Sequence, residues 1–225
     1  MTFRTLLLVA AMGFTIGAVH ASTLFGPFPE SQPPDTFGGC AGCTQLAYQS
    51  ETGNNATSSL HLTFNSAVYT DPSNTFCAGC LDFVYQVVNG SGSTDSVSRI
   101  TISSFASVAD VDAGYSTAGE PAAGGTAFPP GTWAPGTVDR NTADTIGFQF
   151  SNVATAIPPG GTSVVLIIET NSVTFTAGLA GVSDGTGATF GTFAAQSATP
   201  EPAAALLAGL GMMGLAGLRL LRLRR

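Results

Sequence analysis

Four cysteines carry the most specific chemical pattern in the chain. They form two identical tetrapeptides, Cys40-Ala-Gly-Cys43 and Cys77-Ala-Gly-Cys80, with 33 residues between them. Disulfide bonds are favoured for an even cysteine count in an exported chain, and four cysteines allow three pairings. The alternatives are a Cys₄ zinc site, for which the gap is long, and thiol–disulfide redox chemistry, which normally needs a helical context. Covalent haem is excluded because Thr44 and Leu81 stand where histidine is required.

Other catalytic chemistry is poorly represented. His61 is the one histidine beyond the first 21 residues, and nucleophile–base–acid triads usually rely on histidine. Asp110 and Asp112 suggest a calcium site that Asp139, Asp144 or Asp184 could complete, but without a twelve-residue ligand pattern solvated loops are favoured. We therefore predict no catalytic residues, no metal, no cofactor and no enzymatic activity.

The elements that would position these residues are predicted to be strands. Apolar and polar residues alternate over residues 60–65, 81–88, 99–103, 146–150 and 173–177. This period of two is typical of antiparallel sheets with one buried face. Val164 to Ile168 is uniformly apolar and predicts a central strand buried on both faces. Turn sequences such as Asp184-Gly185 separate the strands.

The predicted fold is an all-β, antiparallel β-sandwich with Greek-key or jelly-roll connections, formed by the exported domain of residues 22–198. One long irregular segment interrupts it, from Ser116 to Val138, and contains Trp133, the only tryptophan. A segment of this kind either covers a sheet edge or presents a binding surface.

Residues 1–21 are predicted to be a secretory signal peptide. A basic start at Arg4 precedes an apolar stretch from Leu6 to Ala18, and Val19-His-Ala21 supplies the small residues of a cleavage site. The apolar stretch is shorter than the roughly 20 residues of a transmembrane helix. We expect cleavage after Ala21.

Residues 199–225 combine three features in order: Pro200-Glu201-Pro202, an uncharged stretch from Ala203 to Leu218, and a terminal cluster of arginines. The stretch can span the membrane as a single transmembrane helix if Arg219, which follows it directly, extends its side chain towards the interface. Four arginines then form a cytoplasmic basic stop by the positive-inside rule: Arg219, Arg222, Arg224 and Arg225.

This tripartite arrangement resembles the PEP-CTERM sorting signal. The resemblance implies an exported bacterial protein whose partner is exosortase, a membrane cysteine peptidase or transpeptidase, with Pro200, Glu201 and Pro202 as the recognition residues. It also implies transient anchoring in the inner membrane, followed by processing and release to the cell surface or extracellular matrix. The secretory translocon and signal peptidase would act first.

Charge restricts the partners further. The chain has no lysine, and residues 22–199 carry two arginines against 13 acidic residues. Such a surface repels nucleic acid and anionic membranes, so no nucleic-acid partner is expected.

Together these features predict a non-enzymatic cell-surface or matrix protein, sorted by exosortase and associated with exopolysaccharide. The alternative is a carbohydrate-binding module of the bacterial surface, in which Trp133, Phe128 or Tyr115 would stack on sugar rings.

Overall fold

The computed structural model describes residues 23–24, 29–38, 40, 42–108, 111–117, 128, 130–142, 144–150 and 155–196. Within these ranges every regular element is a strand, and none is a helix long and apolar enough to cross a membrane. In chain order the strands are β1 (Thr23–Leu24), β2 (Glu30–Gln32), β3 (Asp35–Thr36), β4 (Thr44–Asn54), β5 (His61–Asp71), β6 (Cys80–Asn89), β7 (Arg99–Ile102), β8 (Val111–Ser116), β9 (Thr137–Arg140), β10 (Ile146–Gln149), β11 (Val165–Thr170), β12 (Thr174–Asp184) and β13 (Thr186–Gln196).

The strands form two sheets. Sheet A has the order β1-β8-β11-β6-β5-β4, with β3 also paired to β8, and sheet B has the order β13-β12-β7-β10-β9-β2. Strands β4, β5 and β6 follow one another as an antiparallel meander, whereas β11 inserts between β6 and β8. The all-β prediction is therefore confirmed.

One hydrophobic core lies between the sheets and draws side chains from both. Phe64 of sheet A stacks on Phe190 of sheet B with ring centroids 5.5 Å apart. The hydroxyl of Tyr85, on β6, donates to the carbonyl oxygen of Phe193, on β13, at 2.8 Å. The sheets thus pack face to face, the arrangement expected of a β-sandwich; the Greek-key or jelly-roll description of the connections stays a prediction.

The predicted burial of the strands holds in some places and fails in others. Strand β5 begins with the expected alternation, and β11 is buried along its whole length, as predicted for a central strand. The prediction that β6 has one polar, solvent-facing side is wrong, because nine of its ten residues are buried. A second apolar cluster, which includes Phe128 and Tyr69, covers Val84 on the face of sheet A that points away from the core.

The alternation over residues 173–177 predicted Val173, Phe175 and Ala177 on the inward face of the sheet. This is wrong for Val173, which is 60% exposed, and for Ala177, whereas Phe175 packs against the core. Ala180 and Val182 are buried, whereas Leu179 is 55% exposed and Ala177 is exposed. Gly178 of β12 faces inward where the neighbouring strand β13 leaves no room for a side chain, because a Cβ there would lie 2.8 Å from the Cβ of Ala194. Period two is present in this strand, but hydrophobicity does not identify which side faces the core.

One pairing departs from the antiparallel prediction, because β3 runs parallel to β8. Strands β1 and β3 both pair with β8, at successive positions along it. Gly114 permits this contact, since a Cβ there would lie 2.3 Å from the Asp35 carbonyl oxygen. The N-terminal segment thus covers what would otherwise be an unpaired sheet edge.

The predicted signal peptide at residues 1–21 and the sorting segment at residues 199–225 lie outside the described residues, including Pro200, Glu201, Pro202 and the arginines from Arg219 to Arg225.

Candidate functional site

Each cysteine tetrapeptide closes on itself. Cys40 is bonded to Cys43 and Cys77 to Cys80, with Cα–Cα distances of 5.6 and 5.3 Å. The third residue is a glycine in the left-handed region in both motifs, Gly42 at φ +89° and Gly79 at φ +83°. Glycine adopts this conformation without the steric cost that other residues incur. The repeated sequence therefore encodes the same disulfide-closed turn twice.

Of the three pairings that four cysteines allow, the structure has the one in which each disulfide lies within a single motif. This fits the prediction of disulfide bonds. Two disulfides leave no thiolates for the Cys₄ zinc alternative. Loops this short stabilise the fold by about 2 kcal/mol each in the chain-entropy model, less than the 3 to 4 kcal/mol expected for bonds between the motifs.

The two motifs meet at Asp71, the last residue of β5. Cys80 is the direct cross-strand partner of Asp71, and the backbone N–H of Gly79 donates to the Asp71 carbonyl oxygen at 2.7 Å. From the other side, the sulfurs of Cys40 and Cys43 and one carboxylate oxygen each of Asp71 and Asp82 lie within 4.8 Å of one another. We call these four residues the Cys–Asp cluster.

The Cys–Asp cluster adjoins a row of acidic residues across sheet A. Asp82 on β6 is directly opposite Glu169 on β11, and Glu169 is directly opposite Asp112 on β8. Asp82 is 5% exposed and Glu169 is 6% exposed, and Asp112 and Asp71 are also buried. Like charges placed side by side in a sheet are destabilising, so the row requires compensation.

Neighbouring polar groups hold the carboxylates in place. The backbone N–H and hydroxyl of Ser73 donate to Oδ1 of Asp71 at 2.6 and 2.7 Å. The amide of Asn74 donates to Oδ1 of Asp82 at 2.8 Å, and the backbone N–H of Thr75 donates to Oε2 of Glu169 at 2.9 Å. Residues 73–75, between β5 and β6, thus supply a donor to each of the carboxylates of Asp71, Asp82 and Glu169.

These hydrogen bonds do not offset the energetic cost of burying a charged carboxylate. Burial, followed by the nearby charge of Glu169, raises the pKa of Asp82 from 3.8 to about 9. Burial also raises the pKa of Glu169, with the carboxylates of Asp112 and Asp71 adding to the effect. Asp82 therefore holds a proton at neutral pH, when no cation replaces it.

No arginine within the described ranges contacts Asp71, Asp82 or Glu169. Arg99 forms a bidentate ion pair with Asp139 in sheet B, at 2.8 Å for both contacts. Arg140 is fully buried and donates to the carbonyl oxygens of Phe105 and Val108 at 3.1 and 2.7 Å. The chain has no lysine, so among the described residues no basic side chain neutralises these acids, and the burial of Asp82 and Glu169 favours a proton or a bound cation there.

A cavity of about 190 Å³ opens beside the cluster. Its walls include the cluster residues Cys40, Asp71 and Asp82 together with Glu169 and the apolar side chain of Phe37. Cys43 is almost fully buried, whereas Cys40 is partly exposed. The cluster is thus accessible from one side and closed by sheet A on the other.

The structure does not bring the predicted calcium candidates together. Asp139 pairs with Arg99, Asp184 is exposed at the β12–β13 turn, and Asp110 lies outside the described residues. Of that set only Asp112 belongs to the acidic row. His61 is exposed at the start of β5, as its position on the polar face predicted.

The aromatic residues considered for sugar stacking are not open platforms. Phe128 is 3% exposed and packs on the outer face of sheet A. Trp133 and Tyr115 are partly buried against the core.

Asp71, Asp82 and Glu169 were not identified from the sequence. Asp82 stood on the polar side of a predicted strand and Glu169 ended a predicted central strand, so each one alone suggested solvent exposure. The signal that they belong together is the pairing of β5, β6 and β11, which a single sequence does not specify.

Comparison with family models, with curated proteins and with solved structures found no match for this chain.

Proposed function

We propose that this is an exported, non-enzymatic protein of the bacterial cell surface or extracellular matrix, sorted and processed by exosortase. The observation that carries the proposal is a sequence pattern: Pro-Glu-Pro, an apolar stretch and an arginine cluster follow one another in the C-terminal segment. This segment is attached to a domain with two disulfides. Disulfides persist in oxidising compartments and are rare in the cytosol, which supports export.

The domain has properties suited to hydrated polysaccharide. It is a two-sheet fold whose charged residues are nearly all acidic, and it has no lysine. Association with exopolysaccharide would be through hydroxyl-rich strand surfaces, such as the exposed threonines of β12, Thr174 and Thr176.

The pathway follows from the two ends. The secretory translocon and signal peptidase act on residues 1–21, the predicted transmembrane helix that starts at Ala203 anchors the chain in the inner membrane, and exosortase recognises Pro200, Glu201 and Pro202. The two prolines cannot join the helix well, which keeps the tripeptide accessible at the membrane face.

Cell fractionation of two variants tests this proposal in a host that makes exosortase. Deletion of residues 200–225 should abolish membrane anchoring and processing. Replacing the four terminal arginines by glutamate should leave the recognition tripeptide intact but weaken retention of the tail in the cytoplasm. Unchanged anchoring and processing after the deletion would rule out the sorting role.

Glycan binding by the domain itself is the second candidate. Tyr48 on β4 is 37% exposed, and its hydroxyl lies 3.3 Å from Oδ1 of Asn65, which also accepts a hydrogen bond from Ser50 at 2.7 Å. An exposed ring beside hydrogen-bonding side chains is suited to a sugar. Glycan-array binding that is lost in Tyr48→Ala would support this candidate, and an array without any binding would count against it.

A further inference from the structure

We propose that Cys40, Cys43, Asp71 and Asp82 bind one zinc ion when the Cys40–Cys43 disulfide is reduced, so that this turn is either a disulfide or a metal site. The proposal is independent of the sorting pathway, because it concerns four side chains within the described domain.

The donor set and its geometry suit zinc. Two thiolates and two carboxylates provide four ligands, the number that structural zinc sites use, and thiolate ligands favour zinc over magnesium or calcium. Zinc–sulfur and zinc–oxygen bonds of about 2.0 to 2.3 Å place tetrahedral donors roughly 3.3 to 3.8 Å apart. With the disulfide intact the four donor atoms lie within 4.8 Å of one another. After reduction, side-chain rotations that separate the two sulfurs and draw the carboxylates closer would give the zinc spacing.

The carboxylates are oriented for this role. The hydrogen bonds from Ser73 and Asn74 occupy Oδ1 of Asp71 and Oδ1 of Asp82 respectively. The carboxylates of Asp71 and Asp82 also contact each other, and an ion that binds both would replace this contact while Ser73 and Asn74 keep the two side chains in place. Hydrogen bonds of this kind orient metal ligands and strengthen binding.

The electrostatic setting favours a dication over free thiolates. Neither aspartate of the Cys–Asp cluster contacts an arginine in the described part of the chain. Two thiolates beside two carboxylates would repel one another in a buried site, and Zn²⁺ relieves this repulsion. The resulting formal charge of the site equals that of a Cys₄ zinc site, which proteins use widely.

The conversion of the Cys40–Cys43 disulfide into a zinc site balances in electrons and protons. A dithiol or phosphine reductant supplies two electrons that break the Cys40–Cys43 sulfur–sulfur bond, and two protons complete the thiols. Zn²⁺ then displaces both thiol protons, and any proton held by the carboxylates, to solvent as the bonds to zinc form. In the reverse direction a small-molecule disulfide accepts the two electrons of the thiolates and becomes a pair of thiols, while the Cys40–Cys43 bond re-forms and the zinc ion is released.

The second motif does not offer the same site. Cys77 and Cys80 form an equivalent turn, and Cys80 is opposite Asp71. Within the described ranges, however, only the first motif has both sulfurs grouped with two carboxylates. Zinc binding is therefore expected at one motif of the pair, which supplies an internal control.

The test uses the full chain with Cys77 and Cys80 replaced by serine, reduced with a phosphine, and Co²⁺ as a spectroscopic substitute for zinc. We expect one Co²⁺ per chain, a near-ultraviolet thiolate-to-cobalt absorption band, and displacement of Co²⁺ by Zn²⁺. Asp71→Asn and Asp82→Asn should each weaken binding at least tenfold, whereas Asp184→Asn at an exposed turn should not. The oxidised protein should give no such band.

A second measurement covers the case in which the serine variant fails to fold. In the reduced wild-type chain, Zn²⁺ should slow alkylation of Cys40 and Cys43 but not of Cys77 and Cys80, as read by peptide mass spectrometry. Equal protection of both motifs, no protection of either, or cobalt binding that is unaffected by both aspartate substitutions would overturn the proposal.

Discussion

Glu51 on β4 accepts a hydrogen bond from the backbone N–H of Gly191 on β13, with 2.8 Å between Oε2 and N. Gln49, two residues earlier on the same strand, donates from Nε2 to the Gly191 carbonyl oxygen at 2.6 Å. Strands β4 and β13 are the outer strands of sheets A and B. Side chains of one sheet thus satisfy the backbone groups of the other, and they cover an edge that would otherwise invite pairing with a second chain.

Removing this contact should weaken the closure of the two sheets. Glu51→Ala should lower the free energy of unfolding by about 0.5 to 1.5 kcal/mol, because the Gly191 N–H loses its acceptor. Urea denaturation measures the change, and Thr52→Ala, at the neighbouring exposed position, is the matched control. Equal stability of the two variants would show that the edge contact contributes nothing.

The repeated glycines should be intolerant of side chains. Gly42→Ala and Gly79→Ala should each lower the stability of the folded protein by about 1 to 2 kcal/mol, because alanine is strained at φ near +85°. Gly38→Ala is the control, since a Cβ there meets no atom within 4 Å. Thermal unfolding compares the three, and a glycine variant as stable as Gly38→Ala would contradict the turn geometry.

The buried acid should make stability depend on pH. Because the pKa of Asp82 is about 9 when folded and 3.8 is its ordinary value, the folded state holds a proton that the unfolded state releases between these values. The contribution of Asp82 to the free energy of unfolding should therefore be fully present below pH 3.8 and be lost as the pH rises from 3.8 to about 9.

Asp82→Asn removes the titrating proton and keeps an oxygen that can accept from Asn74. The variant should be more stable than wild type at pH 8 in the absence of metal, and its decline between pH 4 and 9 should be shallower. Asp184→Asn, at an exposed position, should retain the wild-type slope. An unchanged slope in Asp82→Asn would show that other groups set the pH dependence.

Arg140 should be more important for folding than any exposed charge. Its guanidinium is buried and donates to at least two backbone carbonyl oxygens, those of Phe105 and Val108. Lysine places a single ammonium group there and cannot reproduce the planar set of donors. Arg140→Lys should lower the free energy of unfolding by about 2 to 4 kcal/mol in denaturant titrations; a loss below about 0.5 kcal/mol would refute this role.

The sequence predicted the strands better than their environment. The uniform apolar run at Val164 to Ile168 correctly indicated a strand buried on both faces, since no polar side remained for solvent. The alternation in β6 predicted an exposed face, because Asp82 and Gln86 are polar. That face is buried by Phe128 and Cys43 among others, and local periodicity carries no information about contacts so distant in the chain.

The candidate site, too, was predicted only in part from the sequence. The spacing within each Cys-Ala-Gly-Cys motif was enough to suggest disulfides, and the glycine explains how such short loops close. The meeting of Cys40 and Cys43 with Asp71 and Asp82 depends on how β4, β5 and β6 pair. The acidic row additionally requires the insertion of β11 beside β6, a long-range choice that hydrophobic patterning alone does not determine.

The most direct test of the account is the intact mass of the unreduced protein recovered from outside cells that make exosortase. The account predicts a chain that begins at Ser22, ends within or beside Pro200–Pro202, and is four hydrogens lighter than its reduced form because two disulfides are present. A mass corresponding to uncleaved Met1–Arg225 with four free thiols would contradict the proposed export, sorting and disulfide framework together.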